Sequence, residues 1–296
     1  MSQHIGFIGL GVMGAGQSAN LVKAGFTVRG YDIDSAAVRR FGDAGGRTAS
    51  TPAEAACDAD LLIVLVFSAE QAETVLFGPD GATETLPAGS VVVLHTTGAP
   101  TDAERIASRL TETGHRMLDA PVTGGKSGAD DGTLTAIISG SKADLDRARP
   151  ALEAMCKTIY HVGERIGAAS TVKMINQLLV GIHGVAAAEA VALAESAGAD
   201  PTMVYDVITS GSANSACFER VVPLMLAKDF KPRGATAIMV KDLGNTLDAA
   251  RALTTALPLT AGAFQQYLAS AAQGHMEDDL ASVIEVYRRP AGDTAD

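Results

Sequence analysis

The stretch from His4 to Asp32 limits what this chain can fold into more than any other. A short apolar run, His4 to Ile8, enters Gly9-Leu10-Gly11-Val12-Met13-Gly14. A helical pattern (AGQSANLVKAG) follows, and a second strand pattern (FTVRGYD) ends at Asp32. Strand, glycine turn, helix and strand in that order make the opening βαβ unit of a parallel sheet. Gly9 permits the tight turn, Gly11 leaves the backbone open to a pyrophosphate, and Gly14 lets helix and strand pack closely. The helix N-terminus then offers free N–H groups and the positive end of its dipole to the phosphates. Asp32, eighteen residues beyond Gly14, stands where a carboxylate accepts hydrogen bonds from ribose hydroxyls. Its charge would repel a 2′-phosphate, which favours NAD over NADP, although Arg29, Arg39 and Arg40 keep NADP open. The competing reading is that Asp32 or Asp34 caps the next helix.

The alternation continues for about half of the chain. Thr51 or Ser50 is expected to cap a helix opening at Pro52. Strands are expected at Asp60 to Phe67, Ser90 to His95 and His115 to Asp119, then at TLTAIISG and TIYHVG. Repeated strand–helix units predict a doubly wound, mainly parallel sheet of the Rossmann kind over residues 1–165. Ligands of such sheets bind beyond the carboxyl ends of the strands. The loops after Phe67, His95 and Asp119 are therefore the candidate site. The third of them, Asp119-Ala120-Pro121-Val122-Thr123-Gly124-Gly125, could aim backbone N–H groups at a carboxylate, with the Thr123 hydroxyl beside them. A plain flexible turn explains those glycines equally well.

From Gly167 to Ala197 runs a long Ala-, Val- and Leu-rich stretch with no strong helix breaker. It predicts a helix buried on more than one face, leading from the first domain into an all-helical second domain at 166–290, with a tail at 291–296. At 100° per residue Lys173, Asn176, Gln177, Val180 and Gly184 share one side. Further helices are expected at Thr202 to Thr209, Ala216 to Ala227, Ala237 to Ala252, Ala261 to Gln273 and Asp278 to Tyr287. Ser215 is expected to cap the second of these, and Phe230 is a candidate cover for a cofactor.

The net charge of −11 argues against nucleic acid or an anionic membrane as partner. Cys57, Cys156 and Cys217 have no metal-ligand spacing and read as reduced. The longest aliphatic run, Leu61 to Phe67, is too short to span a bilayer, and a cytoplasmic globular protein is expected. A helical domain this apolar implies a homodimer or homotetramer.

These pieces together resemble the β-hydroxyacid dehydrogenases, the group that includes 3-hydroxyisobutyrate dehydrogenase and tartronate semialdehyde reductase. The likeness rests on Phe7-Ile8-Gly9-Leu10-Gly11-Val12-Met13-Gly14, on Asp119 through Gly125, on Gly167 through Gln177, and on Lys241-Asp242-Leu243. Asn176-Gln177-Leu178-Leu179, Gly181-Ile182-His183 and Val240 through Gly244 are similar to the L-threonate dehydrogenase branch. The resemblance implies that Lys173 is the general acid/base, that Thr123, Gly124 and Gly125 bind the substrate carboxylate, and that Asn176 and Gln177 contact substrate. It sets Phe67, Thr97 and Lys241 near the cofactor, beside the glycine turn and Asp32. Where the family commonly has Asn four residues after the lysine, this chain has Gln177. No metal is implied.

A lysine titrating near pH 10.4 in water is a poor base at neutrality. Burial and a positively charged nicotinamide would both disfavour its protonated form and bring it into range. The resemblance therefore implies oxidation of a small hydroxy acid, L-threonate first, with 3-hydroxyisobutyrate or tartronate semialdehyde chemistry as alternatives. An imine reductase and a non-catalytic NAD-binding regulator remain as readings of other classes.

Overall fold

The computed structural model describes residues 3–288, so the tail expected from 291 lies outside the described residues. Its chain divides into two compact units after Met174.

The first unit alternates strands and helices. They are β1 (His4–Ile8), α1 (Val12–Lys23), β2 (Thr27–Tyr31), α2 (Ser35–Asp43), β3 (Arg47–Thr48), α3 (Pro52–Ala56), β4 (Leu61–Val64), α4 (Ala69–Phe77) and β5 (Val91–Leu94). Then come α5 (Pro100–Glu112), β6 (Arg116–Asp119), β7 (Val122–Thr123), α6 (Gly125–Asp131), β8 (Leu134–Ser139), α7 (Lys142–Met155) and β9 (Cys156–Gly163). The sheet order is β3-β2-β1-β4-β5-β6-β8-β7, with β9 also on β8. Pairing is parallel from β3 through β6, antiparallel where β8 meets β6 and β7, and parallel again between β8 and β9. The first six strands thus run in the order of a dinucleotide-binding sheet.

Both faces of that sheet are covered, and the strand sequences reflect it. Leu61-Leu62-Ile63-Val64 and Val91-Val92-Val93-Leu94 are buried throughout, as continuous apolar runs are in a doubly covered parallel sheet. Leu61, Ile63, Val91 and Val93 pack on one face with Leu21 of α1 and Leu145 of α7. Leu62, Val64, Val92 and Leu94 pack on the other with Leu76 of α4 and Ile106 of α5. Helix starts follow local capping chemistry: Thr51 accepts from the Glu54 amide at 3.0 Å and Ser68 from Gln71 at 3.3 Å.

Helix α8 (Ala168–Ala197) crosses the division between the units. Among the described residues it is the one helix long and apolar enough to cross a membrane, by length and composition alone. Its buried residues Val185, Ala187, Ala188 and Val191 instead join the core of the second unit. That unit also contains α9 (Pro201–Thr209), α10 (Ala216–Ala227), α11 (Thr236–Ala252) and α12 (Pro258–Ser270). Ser215 caps α10 as expected, accepting from Phe218 N at 3.0 Å.

Several sequence expectations are corrected. The segment after Thr123 is not a free glycine loop, because α6 begins at Gly125. After Ser270 the last turn widens into a π-type segment (Ala271–His275), and Leu280–Val286 is a 3₁₀ helix rather than an α-helix. Phe230 is half-buried, packing against the core of the helical unit edge-on to His275.

Candidate active site

At the β1–α1 turn the three motif glycines differ in what they need. Gly9 has φ +100°, and a Cβ there would overlap the Leu65 carbonyl. A Cβ on Gly14 would overlap the carbonyl oxygen of Gly9. At Gly11, by contrast, a Cβ would meet nothing within 4 Å. Nothing inside the protein therefore demands a glycine at position 11, whereas a group docking on the exposed backbone would. No side chain caps α1, whose N-cap is Gly11, and its first turn carries no acid. Gly11 and Val12 are exposed, Met13 is half-buried, and Leu10 is in the core. An open backbone and an uncapped helix N-terminus fit a dinucleotide pyrophosphate.

Asp32 follows the end of β2 and is tied to this turn. Its Oδ2 accepts from Leu10 N at 2.6 Å and its Oδ1 from Asp34 N at 2.8 Å. The capping role falls to Asp34, which accepts from Ala36 N at 2.8 Å. A carboxylate has about four lone-pair sites, so Asp32 keeps capacity for ribose hydroxyls. The nearby arginines have other partners. Arg29 donates to the carbonyls of Glu54 and Cys57 at 3.0 and 3.1 Å. Arg39 donates to Ser35 Oγ at 3.2 Å, and Arg40 pairs with Asp34 at 3.7 Å.

The three loops singled out from sequence are fastened to one another. Thr96 Oγ1, after β5, accepts from Val66 N in the loop after β4 at 3.1 Å. Phe67 lies in that same loop, and its amide donates to Gln71 Oε1 at 3.0 Å. His95 Nδ1 bonds the Ala120 carbonyl, which joins the β5 and β6 loops. Since a carbonyl can only accept, His95 carries its proton on Nδ1. Burial pushes its pKa down to about 4, so the ring is neutral. Thr97 is half-buried next to it. Thr123 sits on β7, paired with Thr135 of β8, and Gly124 and Gly125 are exposed with φ of +131° and +65°.

The first turn of α8 joins this cluster through Asp119. Gly167 N and Ser170 N donate to Asp119 Oδ2 at 3.1 and 2.9 Å, and Ser170 Oγ donates to Oδ1 at 2.8 Å. Ser139 Oγ adds a contact at 3.2 Å and itself accepts from Ala169 N at 3.1 Å. Burial pushes the Asp119 pKa up, and these bonds offset that rise only in part. One turn further on is Lys173, only 6% exposed.

In the helical unit a second buried polar group forms. Gln177 Nε2 donates to Asp242 Oδ2 at 2.6 Å, and Asn176 Nδ2 donates to Gln177 Oε1 at 3.0 Å. Lys241 Nζ reaches Asp242 Oδ1 at 2.6 Å. Sequence reasoning assigned no role to Asp119, Ser170 or Asp242. The signals were present for two of them: an acid ending the strand pattern of β6, and an acid beside Lys241 in Lys241-Asp242-Leu243. A cavity of about 110 Å³ lies elsewhere, at the amino ends of β1 and β2 beside Arg29 and Arg47.

Comparison with known proteins identifies the family. Residues 4–163 match the NAD binding domain of 6-phosphogluconate dehydrogenase, and residues 167–287 match the NAD-binding family of NADP-dependent 3-hydroxyisobutyrate dehydrogenase. The chain is 43% identical to an L-threonate dehydrogenase of Cupriavidus necator, covering 97% of both chains. It is 34% identical to a 2-(hydroxymethyl)glutarate dehydrogenase of Eubacterium barkeri, over 98% of this chain and 97% of that protein. A crystal structure of 3-hydroxyisobutyrate dehydrogenase from Salmonella typhimurium superposes with a TM-score of 0.91 at 38% identity, over 96% of this chain and 100% of that one. The chain belongs to the β-hydroxyacid dehydrogenase family: it is an oxidoreductase that acts on CH–OH donors with a nicotinamide cofactor.

Proposed function

We propose that this enzyme oxidises L-threonate to its keto acid with NAD⁺ as acceptor, and that Lys173 is its general acid/base. The observation that carries the reading is a lysine 6% exposed on α8, one turn beyond a helix start tied to the end of β6. A lysine side chain held on a buried helix face beside the strand ends is in position to exchange a proton with a substrate hydroxyl. The similarity to the Cupriavidus necator enzyme supports threonate as first substrate.

Gly9, Leu10, Gly11, Val12, Met13 and Gly14 would hold the pyrophosphate and Asp32 the adenosine ribose. Phe67, Thr97 and Lys241 would lie near the rest of the cofactor. When bound, the nicotinamide supplies a hydride acceptor. The protein's own part is to orient the hydroxy acid and to move one proton. Thr123 and the backbone at Gly124 and Gly125 would hold the substrate carboxylate. Lys173 Nζ would take the hydroxyl proton as the C–H bond breaks, and return it in the reverse direction. Asn176 and Gln177, a turn further along α8, would contact substrate. Asp32 supports NAD over NADP, since its charge opposes a 2′-phosphate and the neighbouring arginines are engaged with other groups.

The test is reduction of NAD⁺ and of NADP⁺ with threonate, erythronate, 3-hydroxyisobutyrate and glycerate. The highest kcat/KM for threonate with NAD⁺ supports the proposal. A higher value for 3-hydroxyisobutyrate or glycerate moves the assignment to that substrate. The likeness to 2-(hydroxymethyl)glutarate dehydrogenase makes a primary alcohol the second candidate class.

A further inference from the structure

Helix α8 begins without a cap of its own. The residue before it is Gly167, with φ +89° and no side chain to offer its first amides. A helix N-terminus leaves several N–H groups without intrahelical partners, and burying them unpaired is costly. Here the partners come from the sheet. Asp119, at the carboxyl end of β6, accepts from Gly167 N and Ser170 N, while Ser139, at the end of β8, accepts from Ala169 N. Asp119 and Ser139 are themselves opposite each other in the β6–β8 pairing. Both are fully buried.

We propose that Asp119 is the positioning residue for Lys173: its carboxylate fixes the first turn of α8 against the strand ends that carry the substrate loop. This rests on the reading of Lys173 as the acid/base. Three features support it. The carboxylate takes four hydrogen bonds, three of them from Gly167 and Ser170. Lys173 is three residues beyond Ser170, a rise of about 4.5 Å along the axis. Asp119 also directly precedes Ala120, whose carbonyl bonds His95, and the loop continues to Thr123 and Gly124 within four more residues. One residue thereby sets the lysine's helix and the carboxylate loop in a common frame.

The surroundings leave little slack. A Cβ on Gly167 would come within 3.0 Å of the Pro100 carbonyl and 3.1 Å of Glu104 Oε1. Ser170 lines a void of about 10 Å³ with Thr96, Gly98 and Ala99. Relaxation of the first turn after loss of the carboxylate would therefore move Lys173 relative to the Thr96–Ala99 loop. Misplacement of a reacting group by about 1 Å can cost about a hundredfold in rate.

The experiment compares full-length Lys173→Ala, Asp119→Asn, Ser170→Ala and Ser170→Thr, using whichever hydroxy acid of the panel the wild type turns over fastest. In Asp119→Asn an amide NH₂ faces groups that are themselves donors. The expected result is kcat lower by about tenfold to a hundredfold, with KM for the acid and the dinucleotide Kd within about twofold of wild type. Ser170→Ala should lower kcat by about threefold to tenfold, and Ser170→Thr, which keeps the hydroxyl, should restore it. Wild-type kcat in Ser170→Ala and in a folded Asp119→Asn, with Lys173→Ala inactive, overturns the inference and spares the lysine's assignment. A Lys173→Ala enzyme with near-normal turnover overturns the lysine's assignment and this inference with it. If Asp119→Asn does not fold, the Ser170 pair decides.

Discussion

Gln177 Nε2 donates to Asp242 Oδ2 at 2.6 Å, and both side chains are buried. The bond holds the Gln177 amide in one orientation, and its oxygen is occupied by Asn176 at 3.0 Å. Gln177→Asn shortens the side chain by one methylene and should break the reach to Asp242. A buried group left without its partner costs about 1–3 kcal/mol. We expect Gln177→Asn to lower Tm and to change the ranking of hydroxy acids in kcat/KM, with dinucleotide Kd unchanged. An unchanged ranking across threonate, erythronate and 3-hydroxyisobutyrate would remove Gln177 from the specificity determinants.

Lys173→Ala should reduce kcat by about 10²–10⁴-fold, the usual contribution of a positioned general acid/base. Dinucleotide binding, followed by fluorescence quenching or calorimetry, should stay within about twofold of wild type, since the glycine turn is untouched. Lys173→Arg should be almost as inactive as the alanine variant, because a guanidinium stays protonated at any accessible pH.

The buried ring of His95 makes a separate prediction about stability. Its pKa in the folded protein is about 4, against an ordinary value of 6.5. The unfolded chain therefore binds the extra proton more readily, and stability rises with pH across that interval. His95 contributes fully above pH 6.5, and the contribution is lost as pH falls toward 4. A shift of this size corresponds to roughly 3 kcal/mol. His95→Gln, which can still donate to the Ala120 carbonyl, should flatten the fall in Tm between pH 6.5 and 4 relative to wild type. Asp119, whose pKa is raised, acts with the opposite sign, being most favourable at low pH. It is common to both proteins, so the difference between the two curves isolates the imidazole. Parallel curves would show that His95 does not resist protonation.

The glycines of the first turn separate folding from binding. Gly14→Ala places a methyl group onto the Gly9 carbonyl and should fold poorly. Gly11→Ala meets nothing within 4 Å and should fold with a loss of no more than about 1 kcal/mol, that of a weaker N-cap. Its dinucleotide Kd should nevertheless rise at least about tenfold if the pyrophosphate docks on that backbone. A normal Kd in Gly11→Ala would place the phosphates elsewhere.

What could be read in the sequence was local, and what could not was tertiary. The βαβ start and the all-buried strands β4 and β5 declare themselves through periodicity and glycine spacing over a few residues. Helix α6 does not: Gly-Lys-Ser-Gly-Ala-Asp-Asp has weak helix propensity, and the segment is held from outside. Asn20 of α1 donates to the Ala129 carbonyl at 2.9 Å, and Gly16 packs directly against the backbone at Ala129. The cap of α8 was hidden for the same reason, because Asp119 and Ser170 are 51 positions apart. Asp242 was legible only as a neighbour of Lys241, since its link to Gln177 spans 65 positions. The edge-on contact of Phe230 with His275 was equally hidden, because it joins residues far apart in the chain.

Asp32 gives the last prediction, on cofactor choice. Its carboxylate holds Leu10 N at 2.6 Å and so orders the glycine turn before any ligand arrives. The same charge opposes a 2′-phosphate. Asp32→Ser keeps a short acceptor but removes the charge. It should therefore narrow the preference for NAD⁺ over NADP⁺ in kcat/KM by at least about tenfold, the effect of roughly 1.4 kcal/mol. Most of that narrowing should come from weaker NAD⁺ binding, because a serine anchors Leu10 less well. The nearby cations are already engaged: Arg29 with two backbone carbonyls, Arg40 with Asp34. Gain of NADP⁺ activity should thus stay small until Arg40 is released, which Asp34→Ala would do. The double variant should then favour NADP⁺ more than the sum of the single changes. Strict additivity would show that Arg40 has no access to the 2′-phosphate, and a wild type that prefers NADP⁺ would remove Asp32 as the selector.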